Sequence, residues 1–325
     1  MHPLLRFGVR RLAMAALILL TVSALVFIGC EILPGDVAEV ALGQFATPES
    51  IHALHEQLGL DRPAPVRYLE WLLGILHGNW GMSIGTKAQV SQLLGERLAN
   101  TAMLAGATTI IAIPLAVALG LSMALRAGSR FDRAASVVVL ALSATPEFLI
   151  GTLAVMLFAV HLKWLPAVAQ ITFGGGPVAL ARSLLLPVLT LSIVVTAQIA
   201  RMTRATIVNL LDLPFVEMAM LKGVSRRRII LIHALINAVG PIANVVALNI
   251  AYLVSGIVVV ETIFAFPGVA RLMVDAVQAR DLPVVQACAM VFCFAYIILI
   301  LAADMLAVLF NPRLRRGIRP EGGAR

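Results

Sequence analysis

The chain has 325 residues, of which 60% are hydrophobic and only 13% charged, with a mean hydropathy of +0.96. Soluble domains carry roughly 25% charged residues and cannot bury so much apolar side chain, which excludes a cytosolic enzyme, a disulfide-stapled secreted protein and a disordered regulator. The formal charge of +8, from 25 Lys and Arg against 17 Asp and Glu, belongs in the cytoplasmic loops of a membrane protein rather than on nucleic acid.

Six stretches are long and apolar enough to cross a bilayer. Leu12 to Cys30 has no charge over 19 residues, a helix of about 28 Å against a hydrocarbon core of about 30 Å. It reads as an uncleaved first helix, because five further spans argue against a signal peptide. The second span is Leu98 to Leu125. The third, Ala134 to Val160, carries one charge, Glu147. The fourth is Ser183 to Ala200 and the fifth Ala234 to Val260. The sixth begins at Leu282 and continues as apolar helix past Asp304 to about Phe310. Interior Pro114, Pro146, Pro187 and Pro241 are compatible with these spans, since neighbouring helices can satisfy the freed backbone groups. The expected fold is an all-α polytopic membrane protein with six transmembrane helices.

Basic residues set the expected orientation. With the N-terminus inside, 17 of the 25 Lys and Arg fall in inside segments, which places both termini in the cytoplasm. The chain then divides into a cytoplasmic N-terminus (1–11), a transmembrane domain (12–310) and a basic cytoplasmic tail (311–325). Within the domain, 31–97 forms an outer loop and 201–233 a cytoplasmic loop. In the outer loop, Thr47-Pro48-Glu49 signals a helix start. Gly59 and Asp61-Arg62-Pro63 end that helix. Val66 to Leu76 reads as a second short helix, with Tyr68 and Trp71 suited to a membrane interface. Gly174 to Pro177 reads as a turn or loop.

Three chemical motifs fail on context. Gly81-Met82-Ser83-Ile84-Gly85 fits G-x-S-x-G but has no strand, helix and sheet around it. His52, His55 and Glu56 share a helix face without a second metal-binding His at the required spacing. No phosphate-binding G-x-x-x-x-G-K-[ST] occurs. Cys30, Cys288 and Cys293 lie in or beside apolar runs and read as small hydrophobes. No cofactor or metal is expected.

The loop between the fourth and fifth spans has a structure of its own. Asp212 is placed to cap a short helix from Pro214. Phe215, Met218 and Ala219 give that helix an apolar face. Gly223 should end it in the left-handed conformation. Ser225 should cap a second helix whose first turn holds Arg226, Arg227 and Arg228. From the residues alone, a helix lying on headgroups and a helix packed against a partner are equally open.

Here the chain resembles the coupling loop of ABC importer permeases: Glu217-Met218-Ala219, three residues, then Gly223. The string Leu221-Lys222-Gly223-Val224-Ser225-Arg226-Arg227-Arg228, with His233-Ala234-Leu235 and Asn237-Ala238, is similar to the B-type membrane subunit of the dipeptide/oligopeptide (nickel) family. Leu33-Pro34-Gly35-Asp36, Gly78-Asn79-Trp80-Gly81, Ala200 to Ala205, Val260 to Phe264 with Phe266-Pro267-Gly268, Ala279-Arg280-Asp281 and Asn311-Pro312-Arg313 extend the likeness along the chain. Met218 replaces the usual Ala or Thr of the triplet, and Asn311 the common Asp.

The resemblance implies a type I importer permease in the bacterial inner membrane, itself without catalytic activity. It implies a second permease subunit in a heterodimer, two cytoplasmic ATP-binding subunits and an extracytoplasmic solute-binding protein. Membrane lipid surrounds the complex, and no nucleic acid is involved. Glu217, Met218, Ala219, Lys222, Gly223, Ser225, Arg226 and Arg227 would form the ATPase-coupling loop. Di- or oligopeptides lead as substrates, with nickel chelates, glutathione or oligosaccharides as alternatives. A self-sufficient secondary transporter is the rival class; it would need paired broken helices in two matching halves. Glu147 and Asp304 are intramembrane acids, each open to a translocation-pathway role or a structural one.

Overall fold

A computed structural model describes residues 3–32, 38–39, 46–169, 176–225, 228–230 and 235–310. Eleven α-helices account for nearly all of it. They are α1 (Pro3–Ile32), α2 (Pro48–Leu58), α3 (Ala64–Leu76), α4 (Val90–Leu125), α5 (Arg130–Ala144), α6 (Glu147–Ala154), α7 (Gly176–Leu211), α8 (Pro214–Leu221), α9 (Leu235–Ile263), α10 (Val269–Gln278) and α11 (Leu282–Phe310). A π-helical stretch, Val155–His161, continues α6. Among the described residues the sole β feature is an isolated antiparallel bridge, Met82 to Gln89.

Five helices are long and apolar enough to span a bilayer: α1, α4, α7, α9 and α11. The expected third span differs. It is a bent pair, α5 and α6 with its π extension, turned by 101°. The break falls at Thr145-Pro146. Proline disfavours helical backbone in the residue before it, and Thr145 is extended, with φ −83° and ψ 129°. Pro114, Pro187 and Pro241 lie inside continuous helices. Both α4 and α7 run to 36 residues, about 54 Å and well beyond a 30 Å core. Helical hydrogen bonding continues through their polar ends. Arg201 and Arg204, expected at the start of the inner loop, therefore belong to α7.

The chain divides into two compact units: residues 10–102 with 267–295, and residues 103–266 with 1–9 and 296–325. In the first, α2 starts as its sequence predicts. Thr47 Oγ1 accepts from Ser50 N at 3.2 Å and Ser50 Oγ accepts from Thr47 N at 2.8 Å, a reciprocal cap. Gly59 ends the helix at φ +64°. Tyr68 and Trp71 pack on α1, with ring centroids 5.4 and 6.1 Å from Phe27, and the Tyr68 hydroxyl lies 2.8 Å from Ser23 Oγ. Val90, Leu94, Val269, Ala276, Val284 and Cys288 form this unit's core. The Val269 amide at the start of α10 donates to Thr101 Oγ1 at 2.9 Å, and Asn100 Nδ2 donates to Pro267 O at 2.8 Å.

In the second unit α7 is the central helix. Leu186, Leu191, Ile199, Leu253, Ile257 and Phe264 pack into one core between α7 and α9. Between helices in lipid, close packing rather than water exclusion drives association. Gly120 illustrates it: a Cβ there would stand 2.6 Å from Ala200 O and 2.7 Å from Thr203 Cβ. The three cysteines are free thiols.

Candidate functional site

The connection between α7 and α9 contains a short helix with a sharp end. Pro214 opens α8 at a position where a missing amide costs nothing. The cap is not Asp212, as expected, but Leu213, which is extended and makes no side-chain bond to the helix. The proline has already removed one orphan donor and fixed φ. Gly223 has φ +77°. Its amide donates to Met220 O at 2.9 Å, and the Val224 amide donates to Ala219 O at 3.1 Å. This pair of bonds is the Schellman termination that a left-handed glycine permits. The Ile229 amide donates to Ser225 O at 3.0 Å, so helical bonding restarts at Ser225. Arg226 and Arg227 lie outside the described residues.

Val216 is fully buried, and it alone among the side chains of α8 that the structure describes. Glu217, Lys222, Gly223 and Ser225 are exposed, and Ala219 is half-buried. Met218 is 56% exposed, Met220 47% and Leu221 77%. Instead of hiding an apolar face with Met218 in it, the loop displays three large apolar side chains beside a carboxylate and an ammonium. A helix that presents two methionines and a leucine is suited to an adaptable docking surface.

The α7 segment leading to this loop carries an ion pair that the sequence reading did not single out. Arg204 Nε and Nη2 contact the two carboxylate oxygens of Asp132 at 2.5 and 2.7 Å. The Asp132 side chain is 3% exposed, and its Oδ2 also accepts from the Gly128 amide at 2.9 Å. Bidentate guanidinium geometry fixes both distance and orientation, tying α5 to α7.

Glu147 is the first residue of α6, immediately after the break. It is half-buried and lines a cavity of about 270 Å³ between α6, α7 and α9. On α7 the lining is Leu191, Val194, Val195 and Gln198; on α9 it includes Asn249, Tyr252 and Leu253, in each case one helix face. The carboxylate rests over Gly256: a Cβ there would lie 2.5 Å from Oε2 and 2.8 Å from Oε1. Asp304, half-buried on α11, does not line this cavity. The two acids singled out in the sequence are thus not partners in one pocket. A third acid, Glu261, is fully buried near the end of α9; it sits one residue past the uncharged run read as the fifth span.

In the unit of residues 10–102 and 267–295, Asp281 holds the 82–89 turn. Its carboxylate accepts from the Ile84 amide at 3.1 Å, the Gly85 amide at 3.2 Å and the Ser83 hydroxyl. The serine of the G-x-S-x-G string is 2% exposed, bonded to a carboxylate and to the Thr86 amide. It is a turn-fixing residue, not a nucleophile.

Five helices long and apolar enough to cross a membrane, or six with the bent pair taken as one span, define a polytopic membrane protein. The family described as binding-protein-dependent transport system inner membrane component matches residues 116–316, and the N-terminal module of such membrane components matches residues 4–120. The chain belongs to this family and is an inner-membrane permease of the ABC importer class. A probable peptide ABC transporter permease of Sinorhizobium fredii is 34% identical over 306 residues, 94% of this chain and 98% of that one. A putative peptide transport system permease of Brucella abortus is 35% identical over 306 residues, with the same coverage. The glutathione transport system permease GsiC of Pectobacterium atrosepticum is 34% identical over 312 residues, 96% of this chain and 99% of that one. Permeases of this family work with ATPase and substrate-binding partners.

Proposed function

We propose that the chain is one half of a heterodimeric permease that imports di- or oligopeptides, driven by two cytoplasmic ATPase subunits. An extracytoplasmic binding protein would deliver substrate to the outer loop and residues 264–286. ATP would be hydrolysed on the partners alone. Both termini, the tail 311–325 and the 201–233 segment would face the cytoplasm, with 31–97 outside. The coupling element is Glu217 to Arg227, and Glu147 and Asp304 lie along the translocation pathway. Relatives named as peptide permeases support the substrate class. Glutathione, itself a tripeptide, is the second reading, supported by the GsiC relatives.

The observation that carries the coupling role is α8 itself, with Met218, Met220 and Leu221 exposed and a left-handed Gly223 at its end. ATP-driven closure of the partners would push on this helix and rock α7 and α9 between two states. Gly223 tests it. Nothing lies within 4 Å of a Cβ at that position, so any penalty comes from the backbone alone. A β-branched residue in left-handed geometry costs more than about 1 kcal/mol, whereas Asn tolerates it. In reconstituted complexes, Gly223→Val is expected to abolish substrate-stimulated ATP hydrolysis or ATPase co-purification at normal membrane abundance. Gly223→Asn is expected to retain both. A fully coupled Gly223→Val complex would mean that α8 lies on headgroups and does not transmit motion.

A further inference from the structure

The Glu147 cavity has a composition that nothing in the coupling role requires. Its lining combines apolar side chains, among them Leu191, Val194 and Val195 on α7 and Leu253 on α9, with the polar Gln198, Asn249, Tyr252 and Ser255. Among the described residues, Glu147 is its one carboxylate and no basic side chain lines it. A carboxylate in an apolar helical segment without a counter-charge is costly, and such acids line substrate, ion or proton pathways. The second observation is independent of that charge. Asn249 is 8% exposed and lines the same cavity. Its Nδ2 donates to Val245 O at 2.9 Å, while its Oδ1 has no donor at all. Buried amide oxygens without a donor are rare and call for a ligand that supplies one.

We propose that this cavity binds a primary ammonium group carried by the transported solute, with the Glu147 carboxylate and Asn249 Oδ1 as its acceptors. The inference rests on the reading of Glu147 as a pathway residue. A divalent cation fits less well than a monovalent one, because Glu147 is the one carboxylate among the described residues that line the cavity, and hard divalent cations are usually held by several carboxylates. An alkylammonium needs three acceptors around the nitrogen and apolar surface around its carbons. Gln198 and Ser255 line the cavity to complete the acceptor set. Tyr252, also in the lining, offers its ring to a cation. The volume of about 270 Å³ suits one amine-bearing residue rather than a whole oligopeptide. Gly256 is part of the device, since only a residue without Cβ leaves the carboxylate its seat. Peptides and glutathione both carry a primary ammonium; an anionic or neutral chelate does not.

The test has two arms in the assembled complex. In the first, Cys30, Cys288 and Cys293 are replaced by Ala and Ser255→Cys is introduced as a reporter in the cavity. Its reaction with a cationic and an anionic methanethiosulfonate of similar size is timed, with and without n-butylammonium chloride. The expected cationic-to-anionic rate ratio falls about tenfold in Glu147→Gln, is largely kept in Glu147→Asp, and butylammonium protects only when the carboxylate is present. In the second arm, proteoliposome uptake of dialanine is expected to fall about tenfold or more in Glu147→Gln, with Glu147→Asp intermediate. An unreactive reporter, a rate ratio indifferent to Glu147, or undiminished dialanine uptake by Glu147→Gln each overturns the proposal. If the parent complex imports neither dialanine nor N-acetyl-dialanine, the peptide reading fails separately, and the cysteine arm still decides whether the cavity takes an ammonium.

Discussion

Gly120 offers the most direct test of how the permease core is packed. A Cβ on it would stand 2.6 Å from the carbonyl oxygen of Ala200, 2.7 Å from Thr203 Cβ and 3.0 Å from Thr203 Cγ2, where ordinary contact begins at 3.4 Å. Gly120→Ala must therefore part α4 and α7 by about 0.8 Å at this crossing. The obstacle is helix backbone and a β-branched side chain, neither of which can rotate away. Overpacking of this kind costs about 1–3 kcal/mol. Alanine returns about 1 kcal/mol of helix propensity, so the substitution alone is an ambiguous measurement. Gly106 on the same helix removes the ambiguity. Nothing lies within 4 Å of its Cβ position, so Gly106→Ala carries the propensity gain alone. The difference between the two variants isolates the clash, about 1–3 kcal/mol. Thermal unfolding of the purified protein in nanodiscs, followed by far-UV circular dichroism, should place Gly120→Ala below Gly106→Ala by at least about 2 °C. Uptake should fall as well, because Ala200 and Thr203 lie on the segment of α7 that leads to α8. Equal melting of the two variants would refute the close approach of α4 and α7 at Gly120.

Arg204→Ala leaves the buried Asp132 carboxylate without its bidentate partner and is expected to cost about 3 kcal/mol, discounted for the partial exposure of Arg204; a double-mutant cycle with Asp132→Ala should give strong coupling, and additive single effects would deny the pair any role. Asp281→Asn places a donor where three donors already converge, at a cost of about 1–3 kcal/mol. Limited proteolysis should then cut within 82–89 several times faster than in the parent, and an unchanged rate would show that the turn holds itself. For orientation, cysteines introduced at Ser50 and Gly323 in a cysteine-free chain should react with an impermeant thiol reagent in intact spheroplasts at Ser50 only. Labelling at Gly323 alone would invert the topology.

The amino-acid sequence by itself determined the elements whose causes are local. Uncharged runs of bilayer length mark the apolar helices, because each residue's preference for lipid is its own property. Thr47 and Ser50 cap α2, and Gly59 and Gly223 end α2 and α8, because a cap needs only residues within one turn. The family pattern around Glu217 to Gly223 was legible for the same reason: it is contiguous. What only the tertiary structure decided are the relations between distant positions. Pro146 looks like Pro114 or Pro187 in the sequence, yet it alone breaks its helix, since whether a proline is accommodated depends on the packing around it. Asp132 meets Arg204 across 72 residues and Asp281 meets Ser83 across 198, pairings that no window of hydropathy contains. Glu147 was visible as a lone acid. That it sits on Gly256, beside an Asn249 oxygen without a donor, follows from the way α6, α7 and α9 pack. Side-chain chemistry could be read from the chain, but which side chains share a cavity is fixed only when helices meet.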